Sequence, residues 1–355
     1  MVRFGYLGTG VITQCHFSAV EKLKEIQVAA VASADEAQGS AASKRFNAVY
    51  YRDYRELLTK EKDLDGIVVA LPNYMHYEAS AAAIEAGYKN IFCEKPLCTN
   101  PSDSKKLVEL VQKNGVFFQT GYMKRFNPGF RLIKEAIEQK LKLLEFVSFN
   151  IYGEGPQPVL SPSPTPPRNW HGNPKLAGGG IITHSTSHHL DLLRYTLGEV
   201  KSVSAHCRYI GDRDYYLLGR MEMENGVLVD MRLGRAELQG VGPGWNRMRS
   251  GGWDESVEAI GTGGYIKVES PTWQGYDPMT VKRWFTGMTG PEIFQVECDE
   301  QWTNELTAFA ESCKTGVLNK TASSVVDGYK VDKIIETIHE SNRQGGKKID
   351  VVYEY

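Results

Sequence analysis

The sequence predicts an α/β protein in two parts: an N-terminal doubly wound parallel sheet and a C-terminal α+β domain with a mainly antiparallel sheet. A chain of 355 residues is too long for a single small hydrophobic core, which favours two domains. Short apolar segments alternate with helical ones in the first third, whereas later segments alternate polar with apolar residues and are separated by turn residues. We therefore expect domains at residues 1–123 and 124–355.

The N-terminal domain is predicted from apolar runs that glycine or proline bounds. Predicted strands cover residues 2–7, 28–32, 66–71, 90–93 and 116–120. Predicted helices cover residues 13–24, 40–46, 54–58, 78–86 and 102–113. Fully apolar strands joined by helices indicate a parallel sheet that is covered on both faces.

The C-terminal domain is predicted as an antiparallel sheet with one helical face. Predicted strands cover residues 145–151, 200–209, 215–223, 227–233, 255–260, 265–268, 280–285 and 348–353. Predicted helices cover residues 130–139, 184–197, 302–313 and 323–340. Asn225-Gly226 favours a tight hairpin, and the proline-rich stretch 156–167 predicts a loop or an extended arm.

Composition excludes several classes of protein. The formal net charge of −2 argues against a nucleic-acid or anionic-membrane surface. No apolar run approaches the roughly 20 residues that span a bilayer. Because the first predicted strand begins within a few residues of the start, we expect no signal peptide. The six cysteines form no CxxC pair, which is typical of reduced thiols. We expect a cytoplasmic protein without a nucleic-acid or membrane partner.

A glycine-rich turn, Gly8-Thr9-Gly10-Val11-Ile12-Thr13, joins the first predicted strand to the first predicted helix. In such G-x-G-x-x-G/A turns the first glycine makes the bend, the second lets a pyrophosphate approach the backbone, and the helix N-terminus binds the phosphates. Thr13 replaces the usual third glycine or alanine. The position of the turn predicts a dinucleotide-binding (Rossmann) domain, with cofactor contacts at Gly8, Thr9, Gly10, Val11 and Ile12.

The end of the second strand bears on the choice of cofactor. An NAD enzyme usually places an acid there, about 20 residues past the turn, to bind the adenosine ribose. Ser33 occupies that place, and Asp35 follows two residues later. A serine leaves space for a 2′-phosphate, but no arginine follows to neutralise it and Asp35 would repel it. We expect NAD, with NADP as the alternative.

A lysine held between a glutamate and a proline, Glu94-Lys95-Pro96, follows the apolar run at residues 91–93. A lysine at the mouth of a strand, in a domain that begins with a nucleotide-binding turn, predicts redox chemistry beside a bound cofactor. The alternative is a solvated loop residue, which is common for a lysine before proline.

Five motifs together resemble the glucose-fructose oxidoreductase, inositol dehydrogenase and rhizopine-catabolism (Gfo/Idh/MocA) family. They are Gly8-Thr9-Gly10, Leu71-Pro72-Asn73 with His76, Glu94-Lys95-Pro96, the run 178–191 (GGGIITHSTSHHLD), and 305–309 (ELTAF). The resemblance implies a Rossmann domain followed by a domain with a large open sheet, through which homodimers or homotetramers form. It also implies NAD(P)-dependent oxidation or reduction of a sugar or cyclitol alcohol.

The resemblance also implies roles for single residues. Lys95 would contact the reacting oxygen and the nicotinamide ribose. The cofactor would further be lined by Leu71, Asn73, His76 and Glu94. In the glycine-rich run the family has an aspartate followed four residues later by a histidine, and here the pair is His184 and His188. His184 thus departs from the family pattern, which puts the proton relay and the substrate class in question.

The two histidines suit acid–base chemistry. Oxidation of a carbinol needs a base for the hydroxyl proton, and histidine titrates at about pH 6.5 when unperturbed. Residues four apart on a helix share a face, so we expect His184 and His188 to line one pocket wall. Asp191 is a candidate partner for His188, and His189 is expected to point away. His184 is either catalytic or a structural hydrogen bonder.

A metal site is the main alternative for these histidines. His184 and His188, with His171 nearby in sequence, have helical ligand spacing. Catalytic zinc usually has three protein ligands, and neither an HExxH motif nor a cysteine cluster accompanies the pair. We therefore predict no metal.

Aromatic and basic residues suggest the kind of substrate. Trp and Tyr rings stack on sugar C–H groups, while Arg, Asn and His bind hydroxyls. Candidate substrate-binding residues are Lys95, Tyr122, Arg168, Trp170, His171, His184 and His188. A second cluster spans residues 245–253. The alternative is that these tryptophans belong to the core or to an oligomer interface.

The leading hypothesis is an NAD-dependent dehydrogenase that oxidises a ring secondary alcohol of a sugar or glycoside, with C3 of a glucoside as one candidate. Some members of the family keep the cofactor tightly bound and exchange hydride between two sugars, and this chain could do the same. The alternatives are an inositol or aminosugar-pathway dehydrogenase or ketoreductase, and a non-catalytic NAD-binding sensor or scaffold.

Overall fold

The structure, a computed structural model, describes residues 1–153, 170–234, 253–271, 277–298 and 300–355. The described chain divides into two compact units. The first unit contains Met1–Met123, Trp302–Asp332 and Glu354–Tyr355, and the second contains Lys124–Gln301 and Lys333–Tyr353. The first break falls where we place the domain boundary, but Trp302–Asp332 groups with the first unit. The division into residues 1–123 and 124–355 stays a prediction.

The strands of the described residues are β1 (Val2–Leu7), β2 (Ile26–Ala32), β3 (Val49–Tyr51), β4 (Gly66–Val69), β5 (Asn90–Glu94), β6 (Phe117–Gly121), β7 (Leu144–Gly153), β8 (Val200–Ile210), β9 (Arg213–Met223), β10 (Leu228–Gly234), β11 (Trp253–Gly261), β12 (Gly264–Ser270), β13 (Met279–Phe285), β14 (Glu292–Val296), β15 (Ser323–Ser324) and β16 (Ile349–Asp350).

The α-helices are α1 (Val11–Val20), α2 (Glu36–Phe46), α3 (Tyr54–Lys60), α4 (His76–Glu85), α5 (Pro101–Asn114), α6 (Pro128–Gln139), α7 (Pro174–Ala177), α8 (Ser187–Leu197), α9 (Gln301–Thr315) and α10 (Val325–Arg343). Short 3₁₀ segments lie at Asn73–Met75, Met123–Phe126 and Trp170–Gly172, and a π-helical turn lies at Ile182–Thr186. No helix among the described residues is long and apolar enough to cross a bilayer.

The sheet of the first unit has the strand order β15-β6-β5-β4-β1-β2-β3. Strands β1 to β6 are parallel, and only the two-residue β15 is antiparallel to its neighbour β6. The central strands are buried on both faces, as their uninterrupted apolar sequences require. The predicted doubly wound parallel sheet is confirmed.

Packing explains why Trp302–Asp332 groups with the first unit. Phe309 on α9 is fully buried, and its ring centroid lies 5.0 Å from that of Phe4 and 5.6 Å from that of Phe92. Gly66 on β4 leaves room for this ring, because a Cβ there would lie 3.1 Å from it. Helix α9 therefore covers the β1–β4–β5 part of the sheet.

The sheet of the second unit has the strand order β14-β13-β12-β11-β7-β10-β9-β8-β16. It is antiparallel except at its centre, where β7 and β10 run parallel with Val147 opposite Val229. The mainly antiparallel sheet is confirmed, and the parallel pair was not predicted. One face is apolar and buried, as Phe149, Met221 and Met231 illustrate.

Turn chemistry accounts for one predicted hairpin. Strands β9 and β10 pair antiparallel around Asn225-Gly226. Gly226 has a φ of +85°, and the Asn225 side chain accepts a hydrogen bond from the Val227 N–H. This hairpin is confirmed.

Several predicted boundaries are wrong. Helix α1 begins at Val11 rather than at residue 13, and the predicted strand 348–353 is reduced to Ile349–Asp350. Strands β3, β14 and β15 were not predicted, because they are short or carry partly exposed, polar sequences. The predicted arm 156–167, Arg168 and residues 245–252 lie outside the described residues.

Candidate functional site

The glycine-rich turn is built so that only glycine fits its first position. Gly8 has a φ of +106°, and a Cβ there would lie 2.3 Å from the carbonyl oxygen of Ala70. A Cβ on Gly10 would meet nothing within 4 Å among the described residues, and Val11 is 79% exposed. Open space therefore lies beside Gly10 at the N-terminus of α1. An anionic dinucleotide fits this cradle, because free helix N–H groups point into it.

Two hydroxyl groups hold the turn in place. Thr13, in the position of the usual third glycine, donates from its Oγ1 to the Gly8 carbonyl oxygen at 3.1 Å. Thr9 donates from its Oγ1 to Ser33 Oγ at 2.7 Å. Ser33 is buried at the end of β2, so its hydroxyl group binds the turn from the neighbouring strand. Ile12, beside this turn, is half-buried.

The acidic residue after β2 is fixed by the helix that follows. Asp35 is the N-cap of α2, and its Oδ1 accepts a hydrogen bond from the Gln38 N–H at 3.2 Å. Tyr50 donates from its hydroxyl to the Ser33 carbonyl oxygen at 3.0 Å. These two hydrogen bonds fix the Asp35 carboxylate and the backbone of Ser33, which lies two residues before it and whose side chain binds the turn.

The ends of three neighbouring strands bring the predicted cofactor residues to one edge of the first sheet. Leu7 on β1 lies opposite Val69 on β4, which lies opposite Cys93 on β5. The glycine-rich turn follows β1, Leu71 and Asn73 follow β4, and Lys95 follows β5. Neighbouring strands lie about 4.8 Å apart, so the turn and the lysine segment begin roughly 10 Å from each other. In open parallel sheets this carboxyl edge is where ligands bind.

The lysine segment is anchored through Glu94. The Glu94 carboxylate is buried, with Oε1 2.9 Å from His16 Nε2, and its Oε2 accepts a hydrogen bond from the Lys95 N–H at 3.2 Å. His16 is fully buried on α1 beside the rings of Phe92 and Trp302. Lys95 itself is half-buried. His16 was not predicted, although it follows Thr13 by three residues on the buried face of α1.

His76 is a second anchor for this segment. Its Nδ1 lies 2.8 Å from the Pro96 carbonyl oxygen, and its Nε2 lies 2.8 Å from the Leu71 carbonyl oxygen. His76 therefore bridges the segment after β4 to the residue that follows Lys95. Burial lowers the pKa of His76, although two carbonyl acceptors favour the charged ring. Asn73, which begins the 3₁₀ segment before His76, is buried.

A third anchor lies on α10. Asp332 is buried, and its Oδ2 accepts hydrogen bonds from the Cys98 N–H at 3.1 Å and from Ser104 Oγ at 2.5 Å. Burial raises the pKa of Asp332 to about 7, more than these two donors lower it. The segment from Glu94 to Cys98 is thus held by His16, His76 and Asp332, which belong to three different helices.

The histidine run of the second unit has a local structure that was not predicted. A continuous α-helix from residue 184 is wrong, because Ile182–Thr186 is a π-helical turn and α8 begins at Ser187. His184 is exposed within the turn, whereas His188 is only 7% exposed, at the start of α8. The prediction of one shared helical face assumed regular α-helical spacing, which the wider π turn interrupts. Such π turns occur frequently at functional sites.

His189, which is expected to point away from His188, belongs to a buried network with Glu255 and Lys124. Its Nε2 lies 2.9 Å from Glu255 Oε2, and the other Glu255 oxygen pairs with Lys124. Burial lowers the pKa of His189. Although burial alone would raise it, Lys124 and His189 lower the pKa of Glu255 to about 2.

Asp191, the candidate partner for His188, forms a buried ion pair with Arg125. Both of its carboxylate oxygens accept hydrogen bonds from Arg125, at 2.7 Å from Nε and 2.6 Å from Nη2. Asp191 and Arg125 are both buried. This bidentate pair joins α8 to Arg125 within the second unit.

For the remaining predicted substrate-binding residues, the structure gives burial or backbone position only. Tyr122 is buried after β6, and Trp170 is half-buried in the segment Trp170–Gly172. Arg168 lies outside the described residues, and for His171 only the backbone is described. Among the described residues, no group of three or more His, Cys, Asp or Glu side chains is arranged to hold a metal ion.

The parallel sheet and the glycine-rich turn at its carboxyl edge are those of a Rossmann-type dinucleotide-binding domain, and comparison with known proteins identifies the family. The chain matches the family model described as oxidoreductase family, NAD-binding Rossmann fold, over residues 2–122, and the GFO/IDH/MocA C-terminal domain over residues 144–267. The protein belongs to the Gfo/Idh/MocA family of NAD(P)-dependent oxidoreductases. The resemblance drawn from its motifs is confirmed.

Individual relatives are similar over nearly the full chain. Inositol 2-dehydrogenase 2 of Saccharopolyspora erythraea is 25% identical over 97% of this chain and 94% of its own length. A levoglucosan dehydrogenase in complex with NADH and levoglucosan superposes with a TM-score of 0.82 at 20% identity, covering 99% of both chains. The WlbA dehydrogenase of Bordetella pertussis, in complex with NADH and UDP-GlcNAcA, has a TM-score of 0.81 at 19% identity, with 99% of both chains covered.

Proposed function

We propose that the protein is an NAD-dependent dehydrogenase that oxidises a ring secondary alcohol of a sugar or glycoside, with C3 of a glucoside as the specific candidate. The observation that carries the proposal is the shared carboxyl edge of β1, β4 and β5, where the glycine-rich cradle and the anchored Lys95 begin at the same level of one sheet. Relatives named for inositol and levoglucosan, and one crystallised with UDP-GlcNAcA, support a polyhydroxylated ring as substrate.

Each residue of the candidate site has a proposed role in cofactor binding or in the transfer of the hydride and the proton. Bound NAD⁺ would supply the hydride acceptor. The Gly8 N–H binds the Ala32 carbonyl oxygen, so the backbone N–H groups that follow it in the turn, up to Ile12, bind the pyrophosphate. The Lys95 ammonium group binds the hydroxyl oxygen and stabilises negative charge on it as the C–H hydrogen leaves as hydride. His188 accepts the hydroxyl proton. His184 is proposed to assist this transfer in place of the aspartate of the family pattern.

NAD rather than NADP is the proposed cofactor. The support is Asp35, whose carboxylate is held as the N-cap of α2 close to the end of β2, where it binds ribose hydroxyls and repels a 2′-phosphate. Comparing the dissociation constants of NADH and NADPH tests this directly. A clear preference for NADPH would overturn it.

The test of the function is a substrate panel that follows a measurement of cofactor content. Purified protein is mixed with glucosides, inositols and free sugars, and the absorbance of reduced nicotinamide is recorded with product mass spectrometry. Mass spectrometry detects a redox-neutral exchange of hydride between two sugars, which tightly bound NAD would permit without a net absorbance change. Turnover of inositols alone would favour the cyclitol alternative. Bound NAD without turnover of any compound would contradict the proposal.

A homodimer or homotetramer through the second sheet is proposed as the assembly. Its support is a set of large apolar side chains that are at least 45% exposed on four strands of that sheet, namely Leu218, Leu228, Trp284 and Ile293. Light scattering on the wild type and on Leu228→Asp measures the assembly. A monomeric wild type would contradict the proposal.

A further inference from the structure

We propose that Asp214, on β9, is a positioning residue that holds the run from Gly178 to His188 in the conformation presenting the two histidines. The inference rests on the proposed function insofar as His184 and His188 act on the substrate. It assigns a role to a residue that belongs to none of the family motifs in the sequence.

Asp214 binds the backbone of the run with both carboxylate oxygens. It is 1% exposed. Its Oδ2 accepts a hydrogen bond from the Gly180 N–H at 2.7 Å, and its Oδ1 accepts one from the Ile182 N–H at 2.6 Å. N–H groups at the start of a helical segment have no acceptor within the segment, and a carboxylate is the strongest acceptor that a side chain offers them.

The glycines allow the run to lie directly on β9. A Cβ on Gly180 would lie 2.1 Å from the Asp214 carbonyl oxygen, so any side chain there would push the run off the strand. Gly179 has a φ of +147°, and a Cβ there would lie 2.4 Å from Thr183 Oγ1. The glycines and Asp214 are therefore complementary parts of one contact.

A backbone hydrogen bond couples the position of Gly180 to that of His184. The His184 N–H donates to the Gly180 carbonyl oxygen at 3.1 Å, so the peptide groups on either side of Gly180 bind Asp214 and His184. The π turn continues to Thr186, and His188 follows as the second residue of α8. A shift of Gly180 relative to β9 would therefore displace both histidines.

A second layer supports the carboxylate. The Tyr209 hydroxyl lies 2.7 Å from His339 Nδ1, and His339 Nε2 lies 3.9 Å from Asp214 Oδ2. When the tyrosine donates to Nδ1, the proton of a neutral imidazole is on Nε2 and faces the carboxylate. Burial lowers the pKa of His339, which favours this neutral form. At 3.9 Å the imidazole lies beyond hydrogen-bond distance of Asp214, so Tyr209 and His339 support the carboxylate by an electrostatic contact.

The test compares Asp214→Asn with Asp212→Asn in the full-length protein. Asn is nearly isosteric with Asp but replaces one acceptor oxygen with a donor, which leaves one of the two N–H groups without its partner. Asp212 is exposed in the turn before β9, so its variant makes the same charge change in the same hairpin. The measurements are amide hydrogen exchange across residues 178–188, kcat for the best alcohol of the substrate panel, and the Kd of NADH.

In Asp214→Asn, exchange at Gly180 and Ile182 is expected to accelerate about ten-fold or more, because one hydrogen bond to a buried charge is lost. The kcat is expected to fall about 100-fold, since small misplacements of catalytic groups have effects of that size. The Kd of NADH is expected to stay within about two-fold, because the glycine cradle belongs to the first unit. Asp212→Asn is expected to match the wild type in all three measurements.

Unchanged exchange across residues 178–188 in Asp214→Asn would overturn the proposal, and so would an unchanged kcat. If the wild type oxidises no compound of the panel, the proposed function has failed, and the exchange comparison still decides the role of Asp214. If Asp214→Asn does not fold, exchange in the wild type decides instead. Gly180 and Ile182 are then expected to be as protected as the centre of α8, and fast exchange at both would contradict the proposal.

Discussion

The lysine segment of the first unit and the histidine run of the second are held in opposite ways. Titratable side chains on three helices, His16, His76 and Asp332, anchor the segment from Glu94 to Cys98. The histidine run is instead held through its own backbone N–H groups by one carboxylate, on glycines that let it touch a strand. Substitutions at several separate side chains should therefore disturb the first region, whereas the second should depend on Asp214 and on the shape of its glycine backbone.

The largest expected effect is a loss of kcat when Lys95 is substituted and its anchoring residues are left unchanged. Lys95→Ala should reduce kcat by about 10³-fold or more, because the variant removes the positive charge that stabilises the reacting oxygen, while Glu94, His16 and His76 stay in place. The Kd of NADH should change little, as measured by fluorescence titration. Lys113→Ala, at an exposed lysine near the end of α5, is the control. A Lys95→Ala enzyme with normal kcat would show that the anchored segment does not serve catalysis.

The two glycines of the cradle should separate cofactor binding from folding. Gly10→Ala should weaken NADH binding about 100-fold or more without loss of thermal stability, because its Cβ meets open space where the pyrophosphate approaches. Gly8→Ala should weaken binding and also destabilise the fold by about 2 kcal/mol or more, since its Cβ would meet the Ala70 carbonyl at a positive φ. Calorimetry and titration give both quantities. Equal stability losses in the two variants would contradict this distinction.

The first anchor can be removed without touching the lysine. His16→Phe should lower the free energy of unfolding by about 2 kcal/mol, because the buried Glu94 carboxylate loses its contact with the ring. It should also lower kcat, since the Lys95 N–H binds the same carboxylate. Denaturant unfolding and steady-state kinetics measure the two effects. A stable variant with normal kcat would mean that Glu94 holds the segment without His16.

The third anchor, Asp332, predicts that the stability difference between the wild type and an Asp332 variant depends on pH. The folded pKa of Asp332 is raised to about 7 from 3.8, so the folded state binds this proton more tightly. The stability it contributes is present at acid pH and is lost as the pH rises to about 7. Asn keeps an acceptor for Ser104 and Cys98 without ionising. Asp332→Asn should therefore gain about 1 kcal/mol or more relative to the wild type on going from about pH 5 to about pH 8. A stability difference that is constant with pH would refute this.

The smallest expected effect concerns the departure from the family pattern. His184→Asp restores the family aspartate at an exposed position of the π turn. We expect kcat to change by less than about ten-fold and the acid limb of its pH profile to shift to lower pH, because a carboxylate titrates below an imidazole. His184→Asn is the uncharged control. An unaltered pH profile in both variants would assign His184 a structural role.

Part of this molecule could be predicted because its signals are local. Each signal is a short continuous stretch of sequence, as in the apolar strands, the glycine-rich turn and Glu94-Lys95-Pro96. The strand order of the sheet alone brings these stretches together. The anchors could not be predicted in this way. Glu94 and His16 are 78 residues apart, and Asp214 lies 34 residues from Gly180. The π turn was missed because no residue type in the run distinguishes it from an α-helix, and β15 because two residues carry no period.

The late position of α9 and β15 in the chain has a consequence for synthesis. Phe309 covers Phe4 and Phe92, and β15 completes the first sheet beside β6. At roughly 5–20 residues per second, however, α9 is synthesised about 180 residues and β15 about 200 residues after β6. Until then the nascent N-terminal sheet exposes apolar surface and an unpaired strand edge, and both features favour aggregation and chaperone binding. A fragment that ends at Met123 would retain that exposed surface permanently.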